Sequence, residues 1–337
     1  MKRPTIDDIA REAKVTKAAV SFALNGNPGV SHTTRERILA IAREVGYQPS
    51  SAARALSGGR ADAFGLVIDR PARTLGIEPF FMELISGMQS ELARVPISLL
   101  FTVAENQDDE IALYRAWWAQ RRVDGIFLVD IRRTDHRWEV LAELGMPAVV
   151  LGNPSDTRDF AAVWNDDAAA MRTALEYLAE LGHRRVARVT GLTSLRHTEI
   201  RNAAFRSTGH RLGITTMTRA ADYTGEQGAA VTRELIASED PPTAIVYDND
   251  VMAIAGMTAA QQAGLSVPGR LSIVAWDDSP LCELVHPAVT ALHRDVPAYG
   301  AHAARQLIAA AQGRPVAGEH EAPTQLTLRG STGPAAG

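Results

Sequence analysis

Cysteine is all but missing from this chain: Cys282 stands alone among 337 residues. That excludes an internal disulfide and any cysteine-cluster metal site. Long apolar runs are missing too. Stretches such as 186–190 and 244–247 fall far short of the roughly 20 residues a membrane helix needs, so no membrane partner is expected. No secretory signal precedes the first polar amphipathic stretch, which makes the cytoplasm the expected compartment. Nor is there a nucleophile–His–Asp grouping, a metal-ligand spacing or a glycine-rich phosphate loop. Neither an enzyme nor a bound cofactor or metal is therefore expected. Residues 331–337 lack leucine heptads, which argues against a tetramerising coil and for a dimer.

What is present is ordinary in bulk and uneven in layout. Hydrophobic residues make up 46% and charged residues 22%, as in soluble globular proteins, and the length suggests two or three domains. The net charge of −4 hides a basic head: residues 1–60 carry ten Lys/Arg against five Asp/Glu, and the rest carry 25 against 34. A basic module on an acidic body is the layout of a DNA reader joined to a different module.

The head reads as three short helices. Thr5 with Asp8 predicts a capped start, and Ile6, Ile9, Ala10 and Ala13 repeat at helical spacing. After the break at Lys14-Val15, Thr16 caps a second helix running to Asn25. Thr33 with Glu36 predicts a capping box for a third, with Ile38, Ile41, Ala42 and Val45 inward. Val15, Val20 and Leu24 complete a small core, leaving Lys17, Ala18, Ser21 and Phe22 on one strip. In a helix-turn-helix such a strip enters the major groove, where Lys17 and Ser21 reach base edges or phosphates and Ala18 and Phe22 meet thymine methyls. A merely solvated face with one stray aromatic is the competing reading. Pro49 stops the third helix, and Ser50 can cap a segment ending at Leu56. So short a helix is unstable alone. It is expected to order only against its twin on DNA, with Leu56 as a minor-groove wedge, unless it is a plain linker.

The run Thr5-Ile-Asp-Asp-Ile-Ala10, Val15-Thr-x-x-x-Val-Ser21, Leu24-Asn-Gly26, Val30-Ser31, Thr34-Arg35, Gly46-Tyr-x-Pro49 and Ala53-Arg-x-Leu56 strongly resembles the lactose-repressor/galactose-repressor family of transcription regulators. The resemblance implies further DNA contacts from Thr5, Thr16, Asn25, Ser31, Thr34, Tyr47 and Ala53. Phe22 stands where many relatives carry a guanine-reading Arg. It also implies a homodimer on a pseudo-palindromic operator in double-stranded DNA.

Beyond residue 60, short apolar strands are expected at 64–68, 97–103, 125–129, 148–151, 186–190, 244–247 and 271–275. They alternate with helices at 80–94, 109–121, 167–181, 225–238 and 250–263. Such alternation predicts parallel sheets covered on both faces, and at this length two sheets rather than one. The resemblance continues through Phe80-Phe81, Leu181-Gly-His-Arg-Arg185, Asn249-Asp-Val-Met-Ala253 and Ser272-Ile-Val-Ala-Trp-Asp-Asp-Ser279. It implies a two-lobed, doubly wound α/β body like the type I periplasmic binding proteins. The expected division is 1–46 helix-turn-helix, 47–60 hinge, 61–330 effector-binding and dimerising body, and 331–337 tail.

Ligands of open α/β sheets bind beyond the carboxyl ends of strands, which by itself picks out Asn249 and Asp277. The resemblance adds Phe80, Phe81, Asn153, Arg201 and Tyr223, and Asp248 beside Asn249 is a specificity candidate. One of the two phenylalanines is expected in the core, and Asp250 is expected to cap its helix. His183, Arg184 and Arg185 read as cations at a helix end, and Trp117 and Trp118 as packing. The expected function is a repressor controlled by a small effector, a sugar or sugar derivative; a nucleobase or nucleoside suits the same residues. A sugar-binding protein without a regulatory role is the remaining alternative.

Overall fold

The computed structural model describes residues 4–47, 60–70, 75–153, 160–316 and 318–336. The hinge segment, with Ala53 and Leu56, lies outside them. The chain divides after Ala61 into two compact units.

The first unit holds α1 (Ile6–Ala13), α2 (Lys17–Leu24) and α3 (His32–Glu44). Thr5 and Asp8 cap α1 reciprocally: the hydroxyl accepts from the Asp8 amide, and the carboxylate accepts from the Thr5 amide at 2.9 Å. Lys14 ends that helix with left-handed backbone angles, and Thr16 caps α2 through the Ala19 amide. The third cap differs from expectation. Ser31, not Thr33, accepts from the Thr34 amide, so α3 starts earlier than a Thr33–Glu36 box would place it. Ile9, Ala10, Ala13, Val20, Ala23, Ile38 and Ala42 form the core, with Val15 and Leu24 packed at its margin.

The second unit contains two parallel-rich sheets, each of six strands among the described residues. In chain order it runs β1 (Ala63–Asp69), α4 (Pro79–Leu92), β2 (Ser98–Ala104), α5 (Gln107–Ala119), β3 (Ile126–Leu128), α6 (Arg137–Leu144), β4 (Ala148–Leu151) and β5 (Ala161–Trp164). Then come α7 (Asp167–Glu180), β6 (Arg185–Thr190), α8 (Arg196–Leu212), β7 (Thr215–Ala220), α9 (Gly225–Ile236), β8 (Ala244–Tyr247), α10 (Asp250–Gln262), β9 (Ser272–Trp276), α11 (Leu281–Leu284) and β10 (Thr290–His293). The chain closes with α12 (Val296–Ala311), β11 (Glu319–His320) and β12 (Gln325–Thr327).

The sheet orders are β2-β1-β3-β4-β5-β11 and β7-β6-β8-β9-β10-β12, the same winding twice. The last strands differ: β11 is parallel to β5, and β12 antiparallel to β10. Each sheet is apolar on both faces, as alternation with helices requires. Leu66, Phe127 and Val149 face α4 and α12, whereas Val67, Ile126 and Val150 face α5 and α6. The second sheet repeats this, with Ile245 and Ile273 under α9 and α10 and Val246 and Val274 under α7 and α8. Because α12 belongs to the first lobe and α7 to the second, the chain crosses between lobes three times. Where α4 meets α12, a Cβ on Gly87 would stand 1.9 Å from the Pro297 carbonyl oxygen, and one on Gly300 2.2 Å from that of Leu84. Only glycine lets these two backbones touch.

Two expectations fail in the second lobe. Residues 331–336 are not a tail: Ser331 exchanges backbone and side-chain hydrogen bonds with Ile273, and the Ala335 amide donates to the Leu181 carbonyl. His183 is not a surface cation but is buried, its ring nitrogens within 3.0 Å of the Thr243 and Ser272 hydroxyls. Burial lowers its pKa and keeps it neutral. Among the described residues no helix is long and apolar enough to cross a membrane.

Candidate functional site

In the head, Thr16, Lys17, Ala18, Phe22 and Asn25 lie exposed on one side of α2, with Ser21 half-buried between them. The strip is therefore brought together as expected. Phe22 keeps 43% of its surface in solvent, so its ring is available to an apolar base edge. Lys17 rests against Asp7 at 2.6 Å, an exposed pair that costs little to exchange for a phosphate. Thr5, Ser31 and Thr34 stand at helix starts, where capping already occupies their hydroxyls. Tyr47 is half-buried against the head's core.

In the body, a cleft of about 840 Å³, counting its open mouth, lies between the lobes. Its walls come from the carboxyl ends of strands in both sheets, the place open α/β sheets reserve for ligands. Three of its residues, Asp130, Tyr223 and Asp277, have φ of 50°, 70° and 65°. Left-handed angles at non-glycine residues are strained and concentrate at functional sites.

The second lobe's wall is an ionic network. Arg201 of α8 donates to Asp167 at 2.9 and 3.1 Å, approaches Asp248 at 3.7 Å, and lies 3.7 Å from the Trp276 ring centre. Asp248 also accepts from Arg188 at 2.5 Å and from the Gly191 amide at 2.9 Å. Tyr223 meets His197 through its hydroxyl at 2.8 Å. Burial, reinforced by Arg201, Arg70, Arg294 and Arg188, holds His197 well below its usual range and thus neutral. Asp277 accepts from Arg294 at 2.9 Å, and that guanidinium sits 4.7 Å from the Phe80 ring centre on the opposite wall.

The first lobe contributes Arg70, just past β1, bonded through two nitrogens to Asp130 past β3. Its guanidinium lies 4.2 Å from the ring centre of Tyr223 across the cleft. Burial would lower its pKa, but Asp130, Tyr223 and Glu78 together outweigh burial and raise it, so Arg70 stays charged. Glu78 precedes α4, whose first turn holds Pro79, without capping it through its side chain. It is 6% exposed. Burial drives its carboxyl up to about 7, against the pull of Arg70 and with the help of Asp130, Asp277 and Asp250. Phe81 is core and Phe80 half-buried, both at the cleft. The lobes also meet directly: Arg196 donates its amide to the Ile131 carbonyl at 2.8 Å, and Arg133 to that of Ser194 at 3.1 Å.

Of the residues expected in the cleft, Phe80, Phe81, Asn153, Arg201, Tyr223, Asp248 and Asp277 line it. Asn249 does not. Its Oδ1 accepts from the Met252 amide at 2.8 Å and its Nδ2 donates to the Tyr223 carbonyl at 3.0 Å. Asn249, not Asp250, is thus the cap of α10. Asp250 instead holds the Ser279 hydroxyl. The sequence reading missed Arg70, Glu78, Asp130, Asp167, His197 and Arg294. The strand-end rule finds Arg70 and Asp130 when applied to β1 and β3. Arg294 follows β10 and Asp167 follows β5, neither of which was anticipated. Among the described residues no group of three His, Cys, Asp or Glu is placed to hold a metal ion.

The comparisons with known proteins agree with both halves of the chain. The profile of bacterial regulatory proteins, lacI family, matches residues 5–50, and that of the periplasmic binding protein-like domain matches residues 175–332. The HTH-type transcriptional regulator MalR of Streptomyces coelicolor is 32% identical over 98% of this chain and 97% of its own. A solved complex of the transcriptional regulator CelR with cellobiose is 27% identical, covers 98% of this chain and 100% of that one, and superposes with a TM-score of 0.74. The lac repressor dimer bound to operator and the anti-inducer ONPF is 25% identical over 98% of this chain and 100% of that one, with a TM-score of 0.84. A helix-turn-helix head, a twice-wound two-lobed body and this end-to-end likeness lead to one assignment: the chain belongs to the lacI family of DNA-binding transcriptional regulators.

Proposed function

We propose that this regulator is a cytoplasmic repressor that binds a pseudo-palindromic operator as a homodimer and yields or tightens its hold when a sugar occupies the cleft. The observation that carries the effector half is the cleft's chemistry. Paired guanidinium and carboxylate groups present fixed donors and acceptors for hydroxyls, while Phe80, Phe81 and Tyr223 cover apolar faces. The CelR relative holds cellobiose, which is consistent with this. Operator reading falls to Lys17, Ala18, Ser21, Phe22 and Asn25 of α2, supported by Thr5, Thr16, Ser31, Thr34 and Tyr47. In the hinge, residues 47–60, Leu56 serves as the minor-groove wedge and Ala53 as a further DNA contact. Asn153, Arg201, Tyr223, Asp248 and Asp277 bind the effector. The protein is not an enzyme, for the cleft's aspartates are held by arginines rather than set beside a nucleophile or a water-activating base.

The test is fluorescence anisotropy on a genomic fragment recovered by in vitro selection, titrated with and without neutral sugars. A 5–150-fold change in operator affinity is expected, about 1–3 kcal/mol of coupling. No sequence preference among fragments removes the operator half. Specific binding that no sugar alters removes the effector half.

A further inference from the structure

Three cleft-lining residues keep a buried atom with no hydrogen-bond partner among the described residues: Asn165, past β5, at its Oδ1, and, side by side in the first lobe's wall, Glu78 at Oε2 and Arg70 at Nη1. The Glu78 and Arg70 side chains are more than nine-tenths buried. Buried polar atoms left unsatisfied are costly and rare, so a site that holds a bare acceptor and a bare donor is built around something that supplies the complement.

The chemistry of that complement follows by elimination. An anion would satisfy the guanidinium N–H but be repelled by the carboxylate. An amine would satisfy the carboxylate but be repelled by the guanidinium. A hydroxyl donates and accepts, so a neutral polyol satisfies both. The remaining charges agree. Each arginine of the cleft already has a carboxylate: Arg70 has Asp130, Arg201 has Asp167, Arg294 has Asp277, and Arg196 has Glu199. Among the described residues, Glu78 alone of the cleft's acids is in no ion pair. A phosphate or uronate would have to break an existing pair and still face it.

Resting on the sugar reading above, we infer that Glu78, with Arg70 Nη1, is a specificity-determining pair that selects a neutral hydroxyl-bearing ligand and turns away phosphorylated or acidic sugars. The groups facing Glu78 are Arg70 past β1, Asp130 past β3, Asp277 past β9 and Asp250 on α10. With the carboxyl at about 7 in the free protein, roughly half the molecules carry the proton at neutral pH. A hydroxyl donating to the carboxylate favours the ionised form, so binding should expel about half a proton at pH 7.

The experiment is calorimetric titration of the full chain with cellobiose and with maltose, each beside its 6-phosphate, in phosphate and in Tris buffer. We expect a neutral disaccharide to bind at least tenfold more tightly than its phosphate, with a binding enthalpy that depends on the buffer. In Glu78→Gln the buffer dependence should vanish, the neutral sugar should weaken about tenfold, and discrimination against the phosphate should narrow. A melting curve at pH 8 at or above that of the wild type shows the variant folded, since a buried charge has been removed. Equal binding of sugar and phosphate overturns the inference, as does a variant whose affinity and proton release are unchanged. Both results leave the sugar reading standing. If none of these sugars binds the wild type, the sugar reading falls and takes this inference with it.

Discussion

The two lobes are wound alike and finish their cleft walls differently. The second lobe's wall is densely paired: Arg201, Asp167, Asp248 and Arg188 bond to one another, and Trp276 lies beneath the Arg201 guanidinium. Within this network the buried atom without a partner among the described residues is Nε of Arg188, which does not line the cleft. The first lobe's wall is left open at Glu78 and Arg70. A densely bonded network fixes geometry before the ligand arrives, which is preorganisation. An open wall stores the cost of unpaired groups until a ligand relieves it. One lobe positions the ligand; the other registers its presence.

The contrast breaks most visibly at Asp248. Replacing it with Ala strands Arg188 and part of Arg201 in a buried site and should cost about 3–5 kcal/mol in denaturant unfolding. A loss below about 1 kcal/mol would show that the second wall is not the rigid one. Next in size is the effect of pH on Glu78. Its raised pKa means the folded protein keeps a proton that the unfolded chain gives up, so its contribution to stability falls as pH climbs from about 4.5 to about 7. The decline should approach about 3 kcal/mol. Glu78→Gln should flatten that part of the stability–pH curve, and a slope unchanged in the variant would contradict an open first wall. The smallest effect sharpens the comparison by placing Asn249 outside both walls. Asn249→Ala should cost about 1 kcal/mol, the usual value of a cap, with sugar affinity in calorimetry unchanged.

The head was legible almost residue by residue because its signals are local: caps within three residues and an apolar repeat over one or two turns. Only the start of α3 moved, where Ser31 was taken for a contact residue and Thr33 for the cap. The body's central strands were legible from apolar runs, but its margins were not. The edge strand β7, Thr215–Ala220, alternates Thr with Met and Arg and is largely exposed. The helix α8, Arg196–Leu212, carries so many Arg, His and Thr residues that its pattern reads as a loop. Yet Thr198, Arg201, Phe205 and Thr208 are all buried, and Arg201 is tolerated there because Asp167 of α7, Asp248 past β8 and Trp276 of β9 surround it. The cleft was half legible for the same reason. Asp248 and Asp277 follow strands visible in the sequence, whereas Glu78 acquires its meaning from burial and from charges that other elements bring to it, Arg70, Asp130, Asp277 and Asp250.

The threefold traffic of the chain between lobes bears on how this protein is made. The first lobe's core is completed by Val296, Tyr299, Ala303, Ala304 and Leu307 of α12. Until the ribosome has released that helix, Phe64, Leu66 and Leu84 have no cover on one side. A nascent chain therefore carries an uncovered apolar face through the synthesis of the entire second lobe, the condition under which chaperone capture and aggregation compete with folding.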